Sequence, residues 1–405
     1  MFRWERRLKD LAQLLVQCES TYFDPELFRM NTNQFLQTSR TVTFLIQKTK
    51  SEIPDYDNWY KKNIIDAWSG DTLMTWAKDS RNTIEKERDL DMYSSLSATL
   101  FFSYITAEDI SIPCGRTELL GANVTRLKRF ARSSLPSYVS DAAVIRTERT
   151  WVANTLPDWE LLQAFKYIYS RLHTCCKELA IHLGASLNPD IRHPADANTN
   201  NPRETIYFKL NSKSSSIVRH KIIPFDSSIV ADNVLAEINQ NSAAPKNLHE
   251  LVELHAKYSQ AIFKKRGCHI PICFLFDASN KPIDLISTSF DDQADKYIFW
   301  RSVADRILYL KPSSILWIAE AWLRDGRNLD IHPIRKLPIA GEFLEVVALN
   351  VSGELRRVTR LIHRNEATGE VTLEDQSLDI HKSQEIPNFF LPAFDALQLA
   401  HHRKN

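Results

Sequence analysis

Apolar residues recur at intervals of three and four from the start of the chain, and Leu8, Leu11, Leu15 and Cys18 predict a first helix over 1–20. A second run opens at Pro25, whose fixed φ suits the first turn of a helix. Its stripe of Phe28, Asn31, Phe35, Val42, Leu45 and Ile46 predicts a long helix to about Ile53, stopped by Pro54. The segment 56–68 (YDNWYKKNIIDAW) predicts a shorter helix closed by Ser69-Gly70, and Asp71 is placed to cap a fourth. Four helices in the first 90 residues, three of them amphipathic, predict an α-helical bundle.

The pattern then changes. Ser97–Ile105 and Ala142–Val152 are β-branched and aromatic enough for strands, with the basic stretch Arg126–Pro136 between them. From Asp158 to Leu183 a strongly apolar helical period returns through Trp159, Leu162, Phe165, Ile168, Leu172, Cys176 and Leu179. A helix that apolar needs the earlier bundle to bury it. Residues 1–185 therefore read as one helical domain with a β-containing insertion at about 97–157.

Residues 186–265 read as a linker, a hairpin (204–210 and 216–223) and connecting helices at about 229–240 and 247–264. Residues 266–391 alternate differently. Strands are expected at 270–276 and 282–288, a helix at 292–310, a buried strand at Ser314–Trp322, and three strands at 342–350, 354–363 and 369–374. That order predicts a mixed α/β domain with a mostly antiparallel sheet and a helix on one face, followed by a frayed tail at 392–405. The expected fold class is α+β.

Charge narrows the function only locally. Among 405 residues, 51 bases face 50 acids, so no overall field favours nucleic acid or membrane, and any such site must be a patch. Neither G-x-G-x-x-G, G-x-x-x-x-G-K-[ST] nor G-x-S-x-G occurs. No apolar h-region opens the chain and no run of about 18 apolar residues follows. Six cysteines lie scattered without a C-x-x-C pair. A reduced, cytoplasmic protein with no membrane segment is expected. No cofactor and no metal site is implied: Cys268-His269 with Cys273 reads as core cysteine. Glu320, at the exit of an apolar strand ahead of Asp325, His332 and Arg335, reads as a satisfied strand-end carboxylate.

Two clusters carry candidate chemistry. The stretch Trp76–Leu90 (WAKDSRNTIEKERDL) puts Arg81, Asn82 and Lys86 near the end of the fourth helix. An arginine can neutralise a phosphate while an acid-base residue moves protons at the 2′-hydroxyl and leaving group. A lysine, with an ordinary pKa of about 10.4, suits a clamp or an acid better than a base. Positions five apart diverge by about 140° on a regular helix, and Arg81 also fits an i,i+4 pair with Glu85. Structural pairing, RNA binding and RNA cleavage all stay open for this segment. The second cluster is Arg126, Lys128, Arg129 and Arg132 with Phe130 among them, followed by Arg146 and Arg149. Bases interleaved with an aromatic suit phosphate contacts and base stacking, with a solvated charged face as the alternative.

The Arg81-Asn82 segment resembles the R-N-x-x-x-H signature of HEPN domains, helical modules of RNA-cutting and RNA-binding proteins in prokaryotic defence, with Lys86 where that family carries histidine. The second helix, NQFLQTSRTVTFLIQK (Asn33–Lys48), is similar to the N-terminal helix of HEPN-like bacterial proteins. The resemblance covers about 25–90, and 158–183 by helix order; nothing in 204–405 is covered. It implies an RNA-directed, homodimeric protein of a bacterial defence, toxin-antitoxin or stress system. It also implies a metal-independent endoribonuclease in which Arg81 holds the phosphate, Asn82 orients the site and Lys86 stands at the proton-transfer position. The opposing expectation is a non-catalytic dimeric adaptor or RNA-binding protein whose C-terminal domain binds a protein partner.

Overall fold

The helices begin where their caps dictate. α1 spans Arg3–Ser20, and α2 (Pro25–Lys48) opens on the Asp24 carboxylate, which accepts from the Leu27 amide at 3.1 Å. α2 ends at Lys48 rather than Ile53 because a 3-10 turn, Lys50–Glu52, takes over. α3 (Tyr56–Tyr60) passes into a π-helical segment, Lys61–Asp66. Asp71 caps α4 (Thr72–Lys86) by accepting from the Met74 amide at 3.1 Å. The same carboxylate receives the Tyr167 hydroxyl at 3.0 Å and Arg171 Nε at 3.1 Å, fastening a later helix to α4. A computed structural model describes residues 1–113, 121–194, 204–212, 215–216, 244–324, 337–365, 368–374 and 385–402.

The first sheet has the order β2-β1-β3-β4-β5, antiparallel at every pairing. β1 is Met92–Phe101, β2 Ile110–Ile112, β3 Val144–Ala153, β4 Glu204–Lys209 and β5 Ser215–Ser216. The strands expected at 97–105 and 142–152 are β1, shifted toward the N-terminus, and β3. β4 pairs with β5 as the expected hairpin does, and that hairpin also joins β3, with Ile145 opposite Phe208. The basic stretch between the strands is a helix, α5 (Gly121–Ser133), followed by the short α6 (Ser137–Ser140). Strand alternation sends Leu100, Ile145 and Phe208 to Leu127 and Ala131 of α5, and Phe101, Val144 and Tyr207 to the opposite face.

α7 (Leu161–His182) completes the bundle, and its Phe165 and Leu172 share one core with Leu8, Leu15, Phe28 and Phe35. On α7, His173 is buried against Tyr169 and His193. Burial, reinforced by His193 and Lys177, pulls its pKa down to about 4. Below about pH 6.5 the unfolded chain takes up a proton that the folded chain refuses. This contribution to stability is therefore complete above about pH 6.5 and is lost as pH falls toward 4. In acid unfolding followed by circular dichroism, His173→Gln is expected to give a shallower decline than the native chain across that window. Parallel curves would assign the decline to other groups.

The second sheet has the order β11-β10-β9-β8-β6-β7, again antiparallel throughout. Its strands are β6 Ile272–Phe276, β7 Pro282–Ser287, β8 Ser314–Arg324, β9 Ile339–Asn350, β10 Leu355–Arg364 and β11 Val371–Leu373. α8 (Leu248–Arg266) covers one face with Leu251, Val252 and Phe263. The other face takes α9 (Gln293–Leu310) and α10 (Leu391–His402). α10 corrects the expectation of a frayed tail: Ala393, Ala396 and Leu397 recur at helical spacing and are buried beside Phe390. The helix expected at 229–240 and the strand residues 217–223 lie outside the described residues.

α9 differs from the expected one-sided helix. Phe299, Trp300, Val303 and Ile307 face the second sheet, while Ala294 and Ile298 join Phe101, Val144 and Tyr207 of the first. The layers run α5, first sheet, α9, second sheet, α8. A helix between two sheets has little solvent face, so its ionic side chains need partners. Arg301 Nη2 reaches Asp109 at 2.7 Å and the Ser103 carbonyl at 3.3 Å, Arg306 Nε reaches Asp284 at 2.6 Å, and Asp305 accepts from Arg146 at 3.0 Å. The fold is α+β, and no helix among the described residues is long and apolar enough to cross a membrane.

Candidate functional site

Arg81 and Asn82 lie near the C-terminal end of α4 and are brought together. Arg81 Nη1 donates to Asn82 Oδ1 at 3.2 Å, and Nη2 pairs with Glu85 Oε2 at 2.6 Å, one turn on. Lys86 is the last residue of the helix, exposed and five positions away. Among the described residues, no hydrogen bond or ion pair joins it to Arg81 or Asn82. A phosphate approaching Arg81 meets a guanidinium already neutralised by the Glu85 carboxylate.

α5 sorts its basic residues onto two sides. Leu127 and Ala131 are buried against the first sheet, and Lys128 shares that inner side. Lys128 Nζ donates to the Ser212 carbonyl and Arg132 Nη2 to the Leu210 carbonyl, so both hold the turn after β4. Burial, with the nearby Arg132 charge, lowers the Lys128 pKa from its ordinary value. Arg126, Arg129, Phe130 and Ser133 fall at i, i+3, i+4 and i+7 and form an exposed outer stripe. Phe130 is 46% exposed.

Arg146 and Arg149 do not extend that stripe. Both lie on β3, where alternation sends one to each face of a covered sheet. Arg146 pairs with Asp305 and Glu148 toward α9, and the fully buried Arg149 stacks over the Trp151 ring at 5.2 Å. Glu320 is satisfied structurally: it accepts from the His269 amide at 2.6 Å and from Arg364 Nη2 at 2.8 Å, and Arg364 also binds Glu342. Asp325, His332 and Arg335 lie outside the described residues. Cys273 sits in the core with burial pushing its thiol up, while Cys268 is exposed. Among the described residues no group of three or more His, Cys, Asp or Glu is gathered as metal ligands.

Sequence reasoning missed a cleft of about 340 Å³ between α2, the π-helical segment, α4 and α7. Its signal was a polar line, Arg40, Thr43 and Gln47, continuing the buried stripe of Leu36 at helical spacing.

The family model of the bacteriophage lambda protein ea47 matches residues 2–221 and 229–397. Protein ea47 of Escherichia phage lambda is 42% identical over 399 residues, covering 97% of this chain and 97% of its own. No solved structure matches the chain. These findings overturn the HEPN resemblance, which rested on two short segments and an order of helices. An Arg-Asn pair on a charged helix end is not specific to one family, whereas the ea47 match runs through the bundle and both sheets. The same phage relationship offers no support for a bacterial defence or toxin-antitoxin setting. The chain belongs to the family of the bacteriophage lambda protein ea47.

Proposed function

We propose that this protein binds single-stranded RNA without cutting it, through the outer stripe of α5. The observation that carries this reading is Arg126 and Arg129 flanking an exposed Phe130 on one side of a helix. The helix is seated by Leu127 and Ala131 and tied down by Lys128 and Arg132. Two guanidinium groups one turn apart suit successive phosphates, and the ring between them offers a stacking surface for an unpaired base. Double-stranded RNA hides its bases from such a helix, which favours single strands. Arg81 is already engaged by Glu85, which disfavours it as the phosphate contact.

Fluorescence anisotropy with a labelled oligoribonucleotide tests this. Phe130→Ala is expected to weaken binding by about 1–3 kcal/mol, roughly 5- to 150-fold. Arg126→Ala and Arg129→Ala should each reduce the slope of log affinity against log salt by about 0.7. Arg81→Ala should bind as the native chain does. RNA cleavage that survives EDTA and vanishes in Arg81→Ala would overturn the non-catalytic reading. A second reading, a protein partner on the second sheet, is favoured by Trp322 (58% exposed) and Leu323 at the end of β8, with Ile339 exposed on the adjoining strand. Trp322→Ser would then lose the partner and keep RNA.

A further inference from the structure

The cleft between α2, α4 and α7 shares no residue with the α5 stripe, and its lining has a definite chemistry. Its volume of about 340 Å³ falls inside the range of about 300–1,000 Å³ typical of small-molecule sites. Two cations, Arg40 and Lys78, line it, and no carboxylate does. Arg40 Nη1 donates to the Thr43 hydroxyl at 2.6 Å, and among the described residues Arg40 has no ion pair. Lys78 comes from the other long helix of the cleft, and its acidic neighbour is the adjacent Asp79 at 3.6 Å, beyond hydrogen-bond length. Arg40 is half-buried, a position where a cation is ordinarily compensated, and its partner within the protein is the Thr43 hydroxyl.

The rest of the lining mixes the hydroxyls of Ser39, Thr43 and Thr75 with apolar side chains. Ile168 and Leu172 of α7 form one side, and the π-helical segment brings Ile64 and leads into Trp68 on another. Such wide turns inside helices are frequent at functional sites because they re-aim side chains. Tyr60 adds a second ring, held by a hydrogen bond from Gln47. We infer that the cleft binds a nucleoside monophosphate, with its phosphate on Arg40 and Lys78 and its base against the Trp68 and Tyr60 side.

Isothermal titration calorimetry of the full chain with the four common nucleoside 5′-monophosphates, their nucleosides and inorganic phosphate tests this. At least one monophosphate is expected to bind, at least tenfold more tightly than its nucleoside and than inorganic phosphate. Arg40→Gln and Lys78→Gln should each weaken it roughly tenfold or more. Lys78 is exposed, so its variant tests the site without a folding cost, and Arg40→Lys should recover part of the loss. Arg129→Ala should leave nucleotide binding unchanged, which separates this site from the α5 stripe. The inference fails if no monophosphate binds, if inorganic phosphate binds equally well, or if Lys78→Gln binds as the native chain does.

Discussion

Trp300→Ala is expected to cost about 3–5 kcal/mol of folding stability, the range for deleting a large buried aromatic. Trp300 is 2% exposed and sits on the side of α9 that faces the second sheet. Its ring meets Phe390 at 5.1 Å, Phe299 and Trp317 at 5.2 Å and Phe389 at 5.4 Å between centroids. Those rings come from α9, from β8 and from the turn Asn388–Phe390 that leads into α10. Removing the indole leaves a cavity bounded by three elements that cannot close on it together. Urea unfolding followed by circular dichroism should show a lower midpoint with the same slope. Trp159→Ala, at a 38% exposed indole, should stay within about 1 kcal/mol of the native chain. A Trp300→Ala loss below about 1 kcal/mol would contradict the placement of α9 as the central layer.

Arg301→Met is expected to cost a similar amount, about 3–5 kcal/mol, for an electrostatic reason. The Arg301 side chain is 6% exposed; it bonds Asp109 and the Ser103 carbonyl and lies over the Phe101 ring at 5.1 Å. Methionine fills much of the space but leaves the Asp109 charge without its partner. Burial already pushes the Asp109 pKa up, with Arg301 and then Arg146 opposing, so the variant raises it further. A carboxylate with a raised folded pKa contributes fully below its unfolded value of about 3.9 and loses that contribution as pH rises. The deficit of Arg301→Met should therefore grow from about pH 4 toward neutrality. Arg301→Met with Asp109→Leu should recover much of it, because two apolar groups replace two paired charges. A deficit independent of pH would place the loss in packing and not in the Asp109 charge.

The local signals in the chain were strong where the contacts that decide them are near in sequence. Pro25 and Asp71 marked helix starts, and turn signals at Ser352-Gly353 and Thr368-Gly369 separated the strands that pair as neighbours. What the chain did not show is settled by distant contacts. β4 reaches β3 across α7, so its place in the first sheet depends on packing that no local pattern encodes. α9 reads as amphipathic because its arginines are polar, yet Arg301 and Arg306 are buried by acids on other elements. α10 is held by α9 and the second sheet, whereas a terminal stretch alone suggests fraying.

The candidate site divides in the same way. The stripe of Arg126, Arg129 and Phe130 follows from helical spacing once α5 is known to be a helix. The inward duty of Lys128 and Arg132 does not, because their acceptors, the Ser212 and Leu210 carbonyls, lie about 80 residues on. Arg81 with Glu85 was legible as an i,i+4 pair, and Arg40 was hidden inside a stripe that otherwise predicts core.

Photocrosslinking of a 4-thiouridine oligoribonucleotide to the intact protein, mapped by mass spectrometry, tests RNA binding by α5 most directly. Crosslinks are expected to concentrate on Arg126–Ser133, to fall sharply in Phe130→Ala, and to leave the RNA at full length. Crosslinks centred on the Arg81 helix together with shortened RNA, or none on α5, would contradict it.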